Sequence, residues 1–217
     1  MSYDHLIKST TMRPCIISIE GNIGAGKSTL VKELKTRYAD RSDIVFLQEP
    51  VDAWSDITQE GKTMLELFYE NQTKYSFAFQ VMAYNSRLKM IKEEIDKAVR
   101  GETNVKTVVM ERSLEADRYI FAKMLFEDGM IEECMYKIYL QMSDDGLKEY
   151  AADKVIWLDT EPDECHRRIA SRGREGEDLI GLDYLVKCDR YHRDWMEYAD
   201  NLIGNGTCLS ADKDLFG

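Results

Sequence analysis

Cys15-Ile16-Ile17-Ser18-Ile19-Glu20, running into Gly21-Asn22-Ile23-Gly24-Ala25-Gly26-Lys27-Ser28-Thr29, is the stretch on which the fold turns. A short β-branched run is followed at once by G-x-x-x-x-G-K-S, with a helical pattern behind it. That order predicts a buried strand, a glycine-rich phosphate loop and a helix whose N-terminus points at phosphate. Glycines let successive backbone N–H groups turn inward without Cβ clashes, which makes a concave nest for anions. Lys27 is expected to reach the β- and γ-phosphates of a nucleoside triphosphate, and the Ser28 hydroxyl to sit on Mg²⁺. A merely flexible glycine turn would not need Lys-Ser in register after a strand. The loop therefore predicts triphosphate binding, and the acceptor must be read from the rest of the chain.

Working outward, 217 residues with 44% hydrophobic content suffice for one globular domain with a substantial core. The net charge of −11 argues against a nucleic-acid polymer or an anionic membrane as partner, since both ask for a basic face. An acidic chain that handles phosphates must instead concentrate its arginines locally. Cys15, Cys134, Cys165, Cys188 and Cys208 are odd in number and scattered, so they read as reduced, mostly buried thiols of a cytoplasmic protein. His5, His166 and His192 lack zinc-ligand spacing. No run approaches the roughly 18 apolar residues of a membrane span. Met1–Arg13 has no apolar signal-like core and reads as a disordered tail, leaving residues 14–217 as a single domain.

Short apolar runs at Cys15–Ile19, Ile44–Leu47, Val105–Met110 and Lys154–Leu158, with a weaker one at Thr207–Leu209, predict a central parallel sheet of about five strands. Helical patterns fall between them at Lys27–Ala39, Thr73–Arg100, Leu114–Glu127, Met130–Asp144, Glu164–Ser171 and Leu182–Ala199. The alternation is that of a three-layer α/β fold of the P-loop NTPase kind. On the longest helix, Phe77, Val81, Tyr84, Leu88, Ile91 and Ile95 step by four and three. That stripe fits a core face or a subunit interface.

In parallel α/β sheets, ligands sit at the carboxyl ends of the strands. Glu49, after the second strand, is placed to accept a proton from an attacking hydroxyl. Glu111, ending the third, stands where a carboxylate would meet Mg²⁺, and Arg112 beside it would bridge acceptor and transferring group. Arg167, Arg168, Arg172 and Arg174 form the local cation cluster sought above; with Gly173 and the acids after it, they read as an arginine-rich lid at about 172–181 that closes over a triphosphate. Gln80, Ala83 and Arg87 share one face of the long helix, and Asp117 is positioned to fix the Arg87 guanidinium.

Together these motifs resemble the deoxynucleoside kinase family from about Pro14 to Leu215. The resemblance rests on Gly21–Thr29, Glu49-Pro50-Val51 with Trp54, Tyr75–Gln80 continuing to Ser86-Arg87, Glu111-Arg112-Ser113 with Asp117–Phe121, and Arg168–Glu177, in that order. It implies that Glu49 is the general base on a substrate 5′-hydroxyl, assisted by Arg112, and that Ser28 and Glu111 serve Mg²⁺. It implies that Lys27, Arg168, Arg172 and Arg174 hold the phosphates of ATP. Tyr69 and Glu177 match the pair that bonds the sugar 3′-hydroxyl. Gln80 matches the base reader, inside a slot of Val51, Trp54 and Phe79. Ala83, Arg87 and Asp117 match members that take deoxycytidine or purine deoxynucleosides, so thymidine is expected to be a weak substrate. A homodimer through long helices is also implied. Two segments depart from the family pattern: Gly176 interrupts an acidic pair in the lid, and Asp212–Leu215 only loosely matches the loop over the donor base.

Three other readings fit less well. A thymidylate-kinase-like monophosphate kinase would need a basic residue beside Glu49-Pro50 for the acceptor's phosphate, and the neighbours are Gln48 and Val51. A catalytically silent subunit would be expected to lack Lys27, Glu49 or Arg112. A regulatory GTPase would carry an N-K-x-D guanine reader, which is absent.

Overall fold

The computed structural model describes residues 13–174, 176–203 and 207–209. The first half of the chain gives β1 (Cys15–Gly21), α1 (Lys27–Arg37), β2 (Ile44–Leu47), α2 (Val51–Ser55), β3 (Thr58–Gln59), β4 (Lys62–Thr63), α3 (Met64–Glu70) and α4 (Gln72–Val99). The second half gives β5 (Thr107–Glu111), α5 (Leu114–Ala116), a π-helical turn (Asp117–Ala122), α6 (Lys123–Glu127), α7 (Glu133–Tyr150), β6 (Lys154–Leu158), α8 (Pro162–Arg172), α9 (Leu182–Ile203) and β7 (Thr207–Leu209).

The fold is α/β, with parallel strands in the order β2-β5-β1-β6-β7. β1 pairs with β5 on one side and β6 on the other, and it is buried at Ile16 and throughout Ser18–Gly21. On one face Ile19, Val109 and Leu158 pack with Leu30 and Val31 of α1 and Ile169 of α8. On the other, Ile16, Val108 and Met110 meet Tyr84 and Ile91 of α4 and Tyr139 of α7. Parallel register brings the carboxyl ends of β1, β2 and β5 to one edge, where the phosphate loop, Glu49 and Glu111 all emerge.

Several elements differ from the sequence reading. The stretch expected as one helix over Leu114–Glu127 is interrupted by the π-helical turn. Residues 51–70 carry two short helices and the β3–β4 hairpin, none of which was expected. α7 runs on through Asp145-Gly146 because Gly146 lies against the Tyr84 ring, where a Cβ would collide with its hydroxyl. The Phe77–Ile95 stripe faces the core in part: Tyr84, Ile91 and Ile95 are buried, and Phe77, Val81 and Leu88, partly buried, pack against that same cluster. Cys165 and Cys188 are buried as expected, whereas Cys15 is half-buried and Cys134 exposed; Cys208 falls where only the backbone is described. Of the expected N-terminal tail only Arg13 is among the described residues, and it is held by Asp153 through two contacts of 2.8 Å. The segment Asp212–Leu215 lies outside them. No described helix is long and apolar enough to cross a membrane.

Candidate active site

The donor half is built by the turn from β1 into α1. Gly24 has φ +84°, and a Cβ there would stand 2.6 Å from the Cys165 carbonyl oxygen of α8, so only glycine fits. Gly26, at φ +101°, is the N-cap of α1. The Lys27 side chain is buried and its Nζ donates to the Gly21 and Asn22 carbonyl oxygens at 3.1 and 2.7 Å. Burial, followed by the Arg112 charge, lowers its pKa to about 8. Ser28 Oγ donates to Glu111 Oε1 at 2.8 Å. These two oxygens are hard donors, the kind Mg²⁺ takes from a protein before phosphate and water complete its shell. Gly21, Asn22 and Ala25 stand behind the loop: Asn22 Nδ2 donates to the Leu185 carbonyl, and Ala25 is fully buried. Ile23, Gly24, Gly26, Lys27, Ser28 and Thr29 face the cleft.

The acceptor half centres on Glu49. Its Oε1 lies 3.0 Å from Arg87 Nη2 and 3.5 Å from Arg112 Nε. Burial tends to raise the Glu49 pKa, but Arg87, then Arg112 and Lys27, outweigh it and hold the carboxyl below its ordinary value. Glu49 is therefore an ionised acceptor at neutral pH. Arg87 is fully buried and tied on every side. It donates through Nε and Nη2 to the two Asp117 oxygens at 2.8 and 3.2 Å, and through Nη1 to the Glu111 carbonyl at 2.8 Å. The expected Arg87–Asp117 pair thus exists, and it also buttresses Glu49. Arg112 adopts φ +62°, rare for a side-chain-bearing residue, and its guanidinium lies over the Phe121 ring at 4.5 Å.

A slot opens beside this group. Phe68 and Phe79 stack at 4.4 Å, Trp54 meets Phe79 edge-on at 5.6 Å, and Trp54 Nε1 donates to Ser86 Oγ at 2.9 Å. Gln80 is buried here, and its Oε1 has no hydrogen-bond partner within the protein. Tyr69 lines the same slot, buried deeply enough that its hydroxyl pKa is raised. Val51, Ala83 and Asp117 complete its wall.

The clustered arginines divide their attention. Arg168 Nη1 donates to the Ala25 carbonyl at 3.2 Å, so it sits on the phosphate loop. Arg172 and Arg174 instead pair with Glu177, at 2.6 and 3.0 Å. The structure thus gives Glu177 two cationic partners of its own, because the Gly173 and Gly176 turns fold the segment back on itself. Arg167 points away, onto Glu164. A Cβ on Gly176 would stand 2.9 Å from Glu66 Cγ, so the glycine inside the acidic pair lets the segment rest on α3.

Apart from Gly21, Asn22, Ala25, Ser86 and Arg167, the residues expected at the site line one cleft of about 510 Å³, a size suited to small-molecule ligands. Its wall also includes Phe68, Phe121 and Tyr184, which the sequence reading did not select. Phe68 had a legible signal, since Thr63-x-x-Glu66 is the capping box that opens α3. Phe121 and Tyr184 had none, because only docked helices reveal which face meets the cleft.

The sequence profile described as "Deoxynucleoside kinase" matches residues 17–216. The chain belongs to the deoxynucleoside kinase family. Among curated relatives of this kinase, deoxycytidine kinase 2 of Gallus gallus is 33% identical over 197 residues, covering 83% of this chain and 73% of that one. Deoxycytidine kinase of Homo sapiens is 34% identical, with 83% and 74% covered. The mitochondrial deoxyguanosine kinase of Xenopus laevis is 31% identical, with 83% and 72% covered. The kinase is accordingly a phosphotransferase acting on deoxynucleosides, and the monophosphate-kinase alternative is not favoured.

Proposed function

We propose that this kinase transfers the γ-phosphoryl group of ATP to the 5′-hydroxyl of a 2′-deoxynucleoside, with Mg²⁺, yielding a deoxynucleoside monophosphate for nucleotide salvage. The observation that carries the reading is the ionised Glu49 carboxylate, which shares one cleft with the phosphate loop and the Gln80 slot. Glu49 would accept the hydroxyl proton as the oxygen attacks, the role a positioned carboxylate fills in phosphoryl transfer. Arg87 keeps that carboxylate charged and aimed, and Arg112 would stabilise charge on the acceptor and transferring oxygens. Lys27 would exchange its loop carbonyls for phosphate oxygens, and Arg168 stands next to them. When bound, Mg²⁺ would neutralise charge between the β- and γ-phosphoryl groups, held by Ser28 and Glu111. For Arg172 and Arg174 to reach phosphate, their pairing with Glu177 must open, which would also release Glu177 toward the sugar beside Tyr69.

The unpartnered Gln80 Oε1 with its neighbouring amide can donate to and accept from a planar base, and the charged Arg87–Asp117 pair disfavours the apolar face of thymine. We accordingly assign deoxycytidine or a purine deoxynucleoside as preferred substrate, in a cytoplasmic, reducing setting. ADP release measured across the four deoxynucleosides and dTMP tests this. The thymidine kcat/KM is expected to lie about tenfold or more below the best substrate, and Glu49→Gln to lower kcat by about 10²-fold or more. Activity on dTMP alone, or an unaffected Glu49→Gln enzyme, overturns the proposal.

A further inference from the structure

Arg112 is gripped by a residue outside the motifs that identify the site. His192, on α9, is fully buried. Its Nδ1 lies 2.6 Å from the Cys188 carbonyl oxygen, one helical turn back. A carbonyl can only accept, so Nδ1 must carry the proton and Nε2 must present its lone pair. That Nε2 lies 3.3 Å from Arg112 Nη1, which can only donate. The imidazole plane is set from two sides, by Trp157 at 5.2 Å and by the edge of Phe121 at 5.6 Å. Phe121 also underlies the Arg112 guanidinium. Burial, together with the Arg112 and Lys27 charges, keeps the ring neutral.

We propose that His192 is a positioning residue for Arg112: a neutral, Nδ1-protonated imidazole whose Nε2 accepts from one end of the guanidinium while Glu49 engages the other. A planar guanidinium tethered at Nε and at one Nη cannot rotate about its own long axis, which fixes the direction of its three remaining N–H groups. Arg112 holds a backbone conformation rare for a residue with a side chain, and its guanidinium is met by Phe121 and Glu49 as well as by His192 of α9. The assignment rests on the proposed role of Arg112 at the acceptor oxygen. A purely space-filling histidine would fit the burial and the Cys188 contact, but it would not need its Nε2 lone pair 3.3 Å from a guanidinium nitrogen.

Two variants of equal side-chain length separate these roles. His192→Gln keeps an oxygen acceptor near the Nε2 position, His192→Met removes it, and both lose the Nδ1 donor. With matched melting temperatures, His192→Met is expected to lower kcat about tenfold or more, with the deoxynucleoside KM within about twofold. His192→Gln is expected to recover most of that loss. In an Arg112→Lys background the difference between Gln and Met should disappear. Equal kcat values for the Gln and Met variants, or an undiminished difference in that background, overturn the proposal. Nitrogen NMR on the histidine-labelled wild type reads the tautomer with no variant and no turnover. A protonated Nδ1 and bare Nε2 are expected, and an Nε2-protonated ring overturns the proposal even if every variant folds poorly. A wild type that phosphorylates no deoxynucleoside would overturn the functional reading instead, and an Nε2-protonated ring would still rule out the bond to Arg112.

Discussion

At the scale of single residues, buried charge is the dominant theme. Arg87 is enclosed by Asp117, Glu49 and the Glu111 carbonyl, so its charge is compensated inside the protein rather than by water. Glu115 shows the opposite case. Its Oε1 accepts from the Ala152 amide at 2.8 Å, but Oε2 is buried without a partner. Burial, with a smaller contribution from buried Glu20, raises its pKa from 4.5 to about 7. The folded state therefore prefers the neutral acid, which an unfolded chain gives up near 4.5. The stability this group contributes is whole below that value and is lost as pH rises through about 7. Melting temperature should fall by on the order of 5 °C between about pH 5 and pH 8, and Glu115→Gln should flatten that slope. A slope unchanged in the variant would locate the titration elsewhere.

At the scale of elements, the short ones shape the acceptor half. α3 has only seven residues, too few to persist alone, yet it carries Phe68 and Tyr69 into the cleft. Its start is fixed by reciprocal bonds, Glu66 N to Thr63 Oγ1 at 3.3 Å and Thr63 N to Glu66 Oε2 at 2.6 Å. Thr63→Ala is expected to cost about 1 kcal/mol, lowering the melting temperature by about 2–4 °C. Because α3 carries Phe68 and Tyr69 into the cleft, the deoxynucleoside KM should rise while the ATP KM stays near wild type. The π-helical turn is the other decisive short element. Its wide turn directs Asp117 at Arg87 and Phe121 beneath Arg112, so one irregularity serves both arginines.

At the scale of the whole molecule, charge and surface point to how the kinase presents itself. The cleft gathers Lys27, Lys32, Arg87, Arg112, Arg168, Arg172 and Arg174 against Glu49, Asp52, Glu111, Asp117 and Glu177, seven cations to five acids. A chain of net charge −11 thus keeps a locally cationic site for a polyanionic donor. Tyr84, Ile91 and Ile95 of the stripe are taken up by the core, so a homodimer of the kind implied by family resemblance would draw on its partly buried members Phe77, Val81 and Leu88. On α7, Met135 and Ile138 remain, 37% and 56% exposed. Light scattering is expected to give twice the 25.2 kDa chain mass for the wild type and the single mass for Ile138→Glu. A wild type that runs at 25.2 kDa would overturn the expected dimer.

Sequence alone determined the α/β class, the phosphate loop and most residues of the cleft, down to the Arg87–Asp117 pair. The glycine nest, the strand-end carboxylates and the helical spacing are local and announce themselves within a few residues, whereas the Arg87–Asp117 pair spans 30 residues and was supported by the order of the family's motifs. Tertiary structure decided the rest. Arg172 and Arg174 turned toward Glu177 because two glycines fold the segment back, a result that spacing does not encode. The break at Asp117–Ala122 comes from packing, as nothing in its residues opposes an α-helix. His192 meets Arg112 across 80 residues of chain, and only the docking of α9 on the sheet creates that contact. Contacts between distant segments depend on how whole faces pack, and no single stretch of sequence carries that information.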